Sequence, residues 1–337
     1  MNYQYINGTD TVSEGFRKTN ENFQSVPDTT EVLEKANKYA DTKMSEAVEE
    51  SKEYTNATVF NPNLLINSGF DVWQRGESFA TNSGYIADRW KIANSGTVTD
   101  ITHNTVDGGV HFQYSSANYI NCVQFIENIY GAQKVTISAM VKCTQGVELQ
   151  LLIGRTSNIN DILAKQTFVA TGDWQFISFT GTLTNDDIVW VNVSARAGCV
   201  NFYIKWVKLE LGSIATQYLP LSYYDELLKC KSYFQLFGIG KWLKANKTND
   251  GYIAGNFDVD MRKIPTVTLV KKSVVFWGMG SDSNVTITDL QFSSGSSKIT
   301  YSGIIFGYLK STLSNNLVAK SMYSCGENIL ALDAEIY

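Results

Sequence analysis

Proline is scarce in this chain of 337 residues, with only 4 in all, and histidine occurs twice. Positive charge is in deficit: the formal net charge is -5, so no overall basic field exists to recruit nucleic acid or an anionic membrane. No run approaches the ~18 apolar residues that a membrane span needs, and no membrane insertion is expected. The opening MNYQYINGTD has neither lysine nor arginine and no apolar core. No secretory signal is expected from it, which places synthesis in the cytoplasm. The five cysteines, Cys122, Cys143, Cys199, Cys230 and Cys325, are odd in number, widely spaced and without a CxxC pair. They are expected to be reduced thiols used as small buried hydrophobes, with a disulfide or metal site as the alternative.

Signatures of chemistry are equally sparse. His103 and His111 stand in separate strand-like stretches with no HExxH or other metal spacing around them. There is no GxSxG elbow, and Gly278-Met279-Gly280 lacks the lysine of a phosphate-binding loop. Asp186-Asp187 reads as a turn, and Asn249-Asp250-Gly251 lacks the remaining positions of a calcium loop. Asp258 and Asp260 would share one strand face, as any i,i+2 pair does. The expectation is therefore no catalytic residue, no cofactor, no metal and no enzyme. A glycosidase pair of carboxylates across a cleft is a distance that spacing alone does not reveal.

What the chain does have is apolar and aromatic content: 44% hydrophobic residues, with 18 Tyr, 17 Phe and 7 Trp. This composition points to a folded, strand-rich protein. Residues 1–27 are polar with isolated aromatics at Tyr3, Tyr5, Phe16 and Phe23, too little to bury a core alone; the segment is expected either to order against a partner or to remain a loose arm. Residues 28–60 lack glycine and are rich in Ala, Glu and Lys up to Thr58, which predicts a helix. Asp28 with Glu31 can form a capping box, and Glu31/Lys35 and Glu34/Lys38 are favourable pairs. Leu33, Ala36, Ala40, Met44, Ala47, Val48 and Tyr54 make a thin apolar stripe suited to a seam between identical helices, a trimeric coiled coil, or to a lone helix lying on a domain.

Asn61-Pro62-Asn63 breaks that helix. Strand-like stretches follow at 98–103, 110–114, 134–142, 148–153, 175–182, 188–195 and 201–210, predicting a jelly-roll-like β-sandwich over 61–221. Residues 222–237 return to helical periodicity as a linking helix. A second, C-terminal β-domain is expected over 238–337, with strands near 252–261, 266–270, 274–277, 285–290, 298–301 and 304–309. The fold class is thus mainly β with an N-terminal helix.

Four segments carry a family resemblance. Residues 63–76 (NLLINSGFDVWQRG) with 85–90 (YIADRW) resemble the opening of a β-sandwich domain of bacteriophage tail-fibre and receptor-binding proteins. Residues 207–234 (VKLELGSIATQYLPLSYYDELLKCKSYF) resemble the end of that domain and its joining helix. Residues 261–266 (MRKIPT) resemble a motif of the C-terminal domain that follows, and 8–23 (GTDTVSEGFRKTNENF) resemble the start of tail and baseplate components. The resemblance implies a virion protein, often a homotrimer, with a carbohydrate-binding-type domain, and does not reveal the receptor; the expected partners are other tail or baseplate proteins through the N-terminal segment and a host-surface glycan. Three functional readings stand: a receptor-binding fibre or tip, an architectural baseplate or connecting protein, and a carbohydrate-active depolymerase.

Among the motif residues, Trp73 and Trp90 are expected in the core, Arg75-Gly76 in a turn, and Asp88 and Arg89 paired with exposed backbone groups or with each other. Residues 208–211 (KLEL) read as a strand with one wet face. Aromatic rings that stack on sugars are sought in the last domain, with Trp242, Tyr252, Trp277, Tyr301 and Tyr308 as the ligand-binding candidates. That domain can lie farthest from the tail, so recognition is expected there and the sandwich is expected to act mainly as a spacer; the reversed or shared assignment is the alternative, since the carbohydrate-binding resemblance is clearer in 61–221.

Overall fold

The computed structural model describes residues 5, 7–24, 29–58, 61–127, 131, 133–184, 188–238, 243–247, 250–255, 258–269, 273–278, 283–291, 305–313, 322–324 and 328–335. The chain forms two compact units, Met1–Phe60 and Asn61–Tyr337.

The first unit contains helices α1 (Val12–Gln24) and α2 (Thr29–Thr58). Helix α1 departs from the sequence reading, which gave 1–27 no structure of its own. Its causes are local and polar. Thr11 Oγ1 accepts the Glu14 N–H at 3.3 Å, one half of a capping box, and Arg17 pairs with Glu21 one turn on. No core is needed, and Tyr5 and Phe16 remain exposed. Helix α2 runs for 30 residues, about 45 Å at ~1.5 Å per residue, with the expected Glu31–Lys35 pair in place. Asp28, the expected cap, lies outside the described residues.

The second unit opens with eleven strands: β1 (Ser78–Phe79), β2 (Ser83–Tyr85), β3 (Lys91–Ala93), β4 (Ser95–His103), β5 (Val110–Glu127), β6 (Lys134–Cys143), β7 (Glu148–Arg155), β8 (Ile162–Val169), β9 (Gln175–Thr182), β10 (Ile188–Arg196) and β11 (Asn201–Leu211). They make one hydrogen-bonded sheet in the order β8-β7-β10-β5-β11-β6-β9, all antiparallel. Strand β5 closes it into a sandwich. Its start pairs with β11 and β4, whereas 119–127 pairs with β10. The two layers so formed bury Val135, Ile137, Ala139 and Val141 of β6 against Leu149, Leu151 and Ile153 of β7 and Val189, Val191 and Val193 of β10 in one core. Alternation or β-branched enrichment made seven of these strands legible, β4 to β7 and β9 to β11, in whole or in part. Strand β8 was not, because its middle (AKQT) is polar and exposed, as suits an edge.

Beyond the sandwich come α3 (Tyr223–Lys231), β12 (Phe234–Gly238), β13 (Leu243–Lys247), β14 (Asp250–Gly255), β15 (Thr266–Leu269), β16 (Ser273–Gly278), β17 (Ser283–Gln291), β18 (Ile305–Leu313), β19 (Met322–Ser324) and β20 (Asn328–Asp333). Strands β12-β20-β15 form a small sheet, and β13-β14-β18-β17-β16-β19 close into a barrel. The expected strand over 252–261 ends at Gly255, so Asp258 and Asp260 share no strand face. Asp258 instead pairs with Lys231 of α3 at 2.8 Å.

Trp90 is fully buried and stacks on Phe70 at 4.6 Å, while Trp73 is half-buried against His103. Asp88 and Arg89 do not pair with each other. Asp88 accepts Gln74 and pairs with Arg75 at 3.1 Å, and Arg89 pairs with Glu335 near the chain's far end. Arg75 also approaches Glu335 at 3.4 Å, and Arg262 of the MRKIPT segment pairs with Glu127 at the end of β5. The Arg89–Glu335, Arg75–Glu335 and Arg262–Glu127 pairs join the sandwich to the segments that flank the small sheet.

Burial pushes the Asp88 carboxyl up to about 7 against the lowering influence of Arg75 and Gln74, with Glu335 adding to the rise. A carboxyl raised in the folded state holds its proton more tightly there than in the unfolded chain. Its contribution is fully present below the unfolded value of 3.8 and is lost as pH rises through about 7. The expected result is a urea midpoint for the wild type that falls from about pH 5 to about pH 7.5 more steeply than for Asp88→Asn. Equal slopes in the two proteins would show that Asp88 does not titrate in this window.

Candidate functional site

Three of the five sequence-derived aromatics of the last domain lie on described strands of the barrel. Tyr252 on β14 and Tyr308 on β18 are register partners, and Trp277 on β16 pairs with Ser324 of β19. Trp242 and Tyr301 lie outside the described residues.

A different aromatic group assembles on the sandwich, on the outer face of the layer made by β11, β6 and β9. Its origin is a β-bulge. Strand β11 pairs Ile204 with Val141 and then Trp206 with Met140, so Lys205 is the inserted residue. Inward positions before it are Phe202 and Ile204, and after it Val207 and Leu209, all buried. The shift therefore brings Tyr203 and Trp206 to the same outer face despite their odd spacing. Across the sheet Met140 also pairs with Phe176 of β9, so Trp206, Met140 and Phe176 form a row. Phe176 is 51% exposed, and its ring lies 6.1 Å from that of Trp206.

The row continues at both ends. Tyr218 stacks on Trp206 at 4.7 Å with ring planes 5° apart. In the other direction Tyr203 lies 4.1 Å from His111 with planes 3° apart, and Trp174 meets Tyr203 edge-on at 6.2 Å. Polar groups accompany the rings. His111 Nε2 contacts Asn201 Oδ1 at 3.0 Å, Lys205 Nζ lies 5.8 Å from the Trp174 ring, and the Tyr218 hydroxyl is 3.3 Å from Ser68 Oγ. Burial pushes the Tyr218 phenol up to about 12, which keeps it a neutral hydrogen-bonding group.

Tyr218 is held there by a buried ion pair that corrects the reading of 208–211. The expected wet face of this strand is dry: Lys208 and Glu210 are 1% and 0% exposed, while Leu211, the last residue of the strand, is exposed. Lys208 Nζ lies 3.1 Å from Glu210 Oε2 and donates to the Gln217 carbonyl at 3.1 Å. Glu210 Oε1 accepts the Thr216 N–H at 2.8 Å. The segment after β11 is thereby folded back over its own strand, which delivers Tyr218 to Trp206. Alternation correctly gave Lys208 and Glu210 a common face; it gave no sign that the chain returns to cover it.

The opposite layer presents a polar outer face. Asn121 of β5, Ser194 of β10 and Gln150 of β7 are register partners in a row, with Tyr119 and Arg196 paired beside them. Arg196 donates to Gln150 at 2.5 Å and Asn192 to Asn121 at 3.0 Å. Asn192 Oδ1 and Ser194 Oγ are buried without a partner among the described residues. Farther along this face Val123, Phe125, Leu152 and Trp190 form a small apolar cluster, with both Arg155 and Asn158 carbonyls accepting from the Trp190 indole.

No protein-family model matches the chain, and no match was found among curated proteins. Solved structures resemble it over less than half its length. A carbohydrate-binding module of the CBM4 type shares 20% identity at a TM-score of 0.36, covering 43% of this chain and 98% of that one. A CBM61 module in complex with β-1,4-galactotriose shares 14% identity at a TM-score of 0.31, covering 45% and 99%. The enzymatically active domain of tailspike protein 4 from bacteriophage CBA120 shares 14% identity at a TM-score of 0.32, covering 44% of this chain and 21% of that one.

Proposed function

We propose that this chain is a non-enzymatic adhesive protein of a bacteriophage tail, and that the aromatic row of its sandwich binds a host-surface glycan. The observation that carries the reading is the partly exposed row Tyr218–Trp206–Met140–Phe176, with Phe176 its most open ring and Tyr203, Trp174 and His111 beyond it. Contiguous apolar surface on one sheet face calls for an occupant. Flat rings bordered by Asn201, Lys205 and Ser68 suit a ligand that offers apolar C–H faces and hydroxyl edges in alternation, which is the chemistry of a pyranose chain. The tail assignment is supported by the four motif segments and their order along the chain. The sequence reading put recognition first in 238–337, with the reversed or shared assignment as its alternative; the aromatic row supports that alternative.

The test is binding of the full-length protein to host cells and to isolated surface glycans. Trp206→Ala should weaken binding by about 2 kcal/mol, roughly 30-fold in Kd, as loss of a central aromatic anchor does. Its circular dichroism should stay that of the wild type. Unchanged binding in Trp206→Ala, with loss in Asn192→Ala or Arg196→Ala, would move the site to the polar face of the other layer. Absence of binding to any host-surface preparation would favour the architectural reading, in which the aromatic row is covered by another virion protein.

A further inference from the structure

Two of the cysteines, 56 positions apart in sequence, meet in the sandwich core. Cys143 is the last residue of β6 and Cys199 lies in the turn between β10 and β11; both are buried. Their Sγ atoms are 2.9 Å apart. That is inside the ~3.5–4.0 Å of ordinary contact between carbons, and sulfur is the larger atom. The approach is imposed by the surrounding chain on both sides of the pair. Phe202 is the register partner of Cys143, and the Val200 N–H reaches Thr144 Oγ1 at 3.3 Å. Gly198 N donates to the Ala117 carbonyl, and Tyr114 N to that of Val200, so the turn carrying Cys199 is also tied to β5.

We propose that Cys143 and Cys199 are a modification site, at which a small-molecule disulfide converts the two thiols into an intrachain disulfide. One thiolate attacks a sulfur of the oxidant and expels one small thiol; the second protein thiol then attacks the mixed disulfide and expels the other. Two S–H bonds are lost and one S–S bond is formed in the protein, while the oxidant leaves as two thiols that carry both protons. The bridge closes a long loop and joins the end of β6 to the turn entering β11, the strands that carry Met140 and Trp206. It stands independently of the glycan reading. Contact with Cys143 and burial both push the Cys199 thiol up, so reaction proceeds through transient opening and is slow beside that of an exposed thiol.

The experiment uses the full-length protein, purified under reducing conditions and incubated at native pH with excess oxidised glutathione. Remaining thiols are alkylated in denaturant and counted by mass spectrometry. Of the five cysteines, two should escape alkylation, and non-reducing peptide mapping should give a single cross-linked species joining Cys143 to Cys199. The thermal midpoint should rise by roughly 5–10 °C and return to its starting value with dithiothreitol. Cys143→Ser should abolish the cross-link and the rise together; if that variant fails to fold, the wild-type thiol count and peptide map decide alone. All five cysteines alkylated, a disulfide between other positions, or a stable glutathione adduct in place of the cross-link would each overturn the proposal.

Discussion

Arg89→Ala is expected to lower the unfolding free energy of the protein by about 3–5 kcal/mol, the usual consequence of removing one partner from a buried ion pair. Arg89 is 1% exposed and Glu335 is 0% exposed. The arginine pairs with Glu335 through Nη1, donates to the Phe125 carbonyl through Nη2, and lays its guanidinium 3.5 Å from the centre of the Tyr233 ring. Its own N–H reaches Glu335 Oε1 at 3.3 Å. Removing the side chain takes the nearest cation from a buried carboxylate, leaving it only Arg75 at 3.4 Å and the backbone N–H, and unties the Phe125 carbonyl at the same time. Glu335→Ala should be of similar size, since it leaves the guanidinium unmatched apart from the carbonyl. The double replacement Arg89→Met with Glu335→Met should be much less destabilising than the sum of the two single losses, because no charge is then left buried. Urea unfolding of the four proteins measures this. A loss below about 1 kcal/mol in Arg89→Ala would mean that the pair is hydrated in solution and does not hold the small sheet to the sandwich.

That pair also marks the boundary of what sequence could show. Arg89 and Glu335 are 246 positions apart, and no periodicity links them; the sequence offered backbone groups or Asp88 as partners, of which the backbone partner is found in the Phe125 carbonyl. Local rules succeeded where the cause is local. Strand β9 was read over its full length of 175–182 because its inward positions recur every second residue, and α2 because Ala, Glu and Lys continue unbroken. They failed at α1, where one capping contact and one ion pair outweigh the lack of apolar residues, and at the polar edge strand β8. The aromatic row was hidden for a different reason. Strict alternation in 201–210 would put Tyr203 and Trp206 on opposite faces, and only the bulge at Lys205 unites them. Phe176 and Trp174 did share an i,i+2 spacing, a signal present in the sequence, but one that names no partner strand. The aromatics selected from composition in the last domain had no such geometric filter.

Disrupting the stalk should reduce attachment to a glycan-coated surface far more than it reduces binding of a soluble oligosaccharide. Helix α2 carries an apolar stripe that is uncovered in the single chain: Leu33 is 61% exposed, Met44 67% and Val48 45%. Thin stripes of this kind are satisfied by identical helices side by side, and we propose a homotrimer on that ground, with the full-length protein expected to scatter light as three chains of 37.6 kDa. Three sandwiches on one stalk convert the second and third contacts into intramolecular events. Avidity then exceeds single-site affinity by roughly 10²–10⁴-fold wherever the receptor spacing allows simultaneous contact. Leu33→Glu combined with Met44→Glu places like charges in the seam and leaves the sequence of the sandwich unchanged. The variant should be monomeric and should lose roughly 10²–10⁴-fold in binding to immobilised glycan, while its Kd for a soluble oligosaccharide in calorimetry stays that of the wild type. Equal losses in the two assays would mean that the substitutions damage the site itself. A monomeric wild-type protein with undiminished surface binding would remove the stalk from the mechanism and leave each sandwich to act alone.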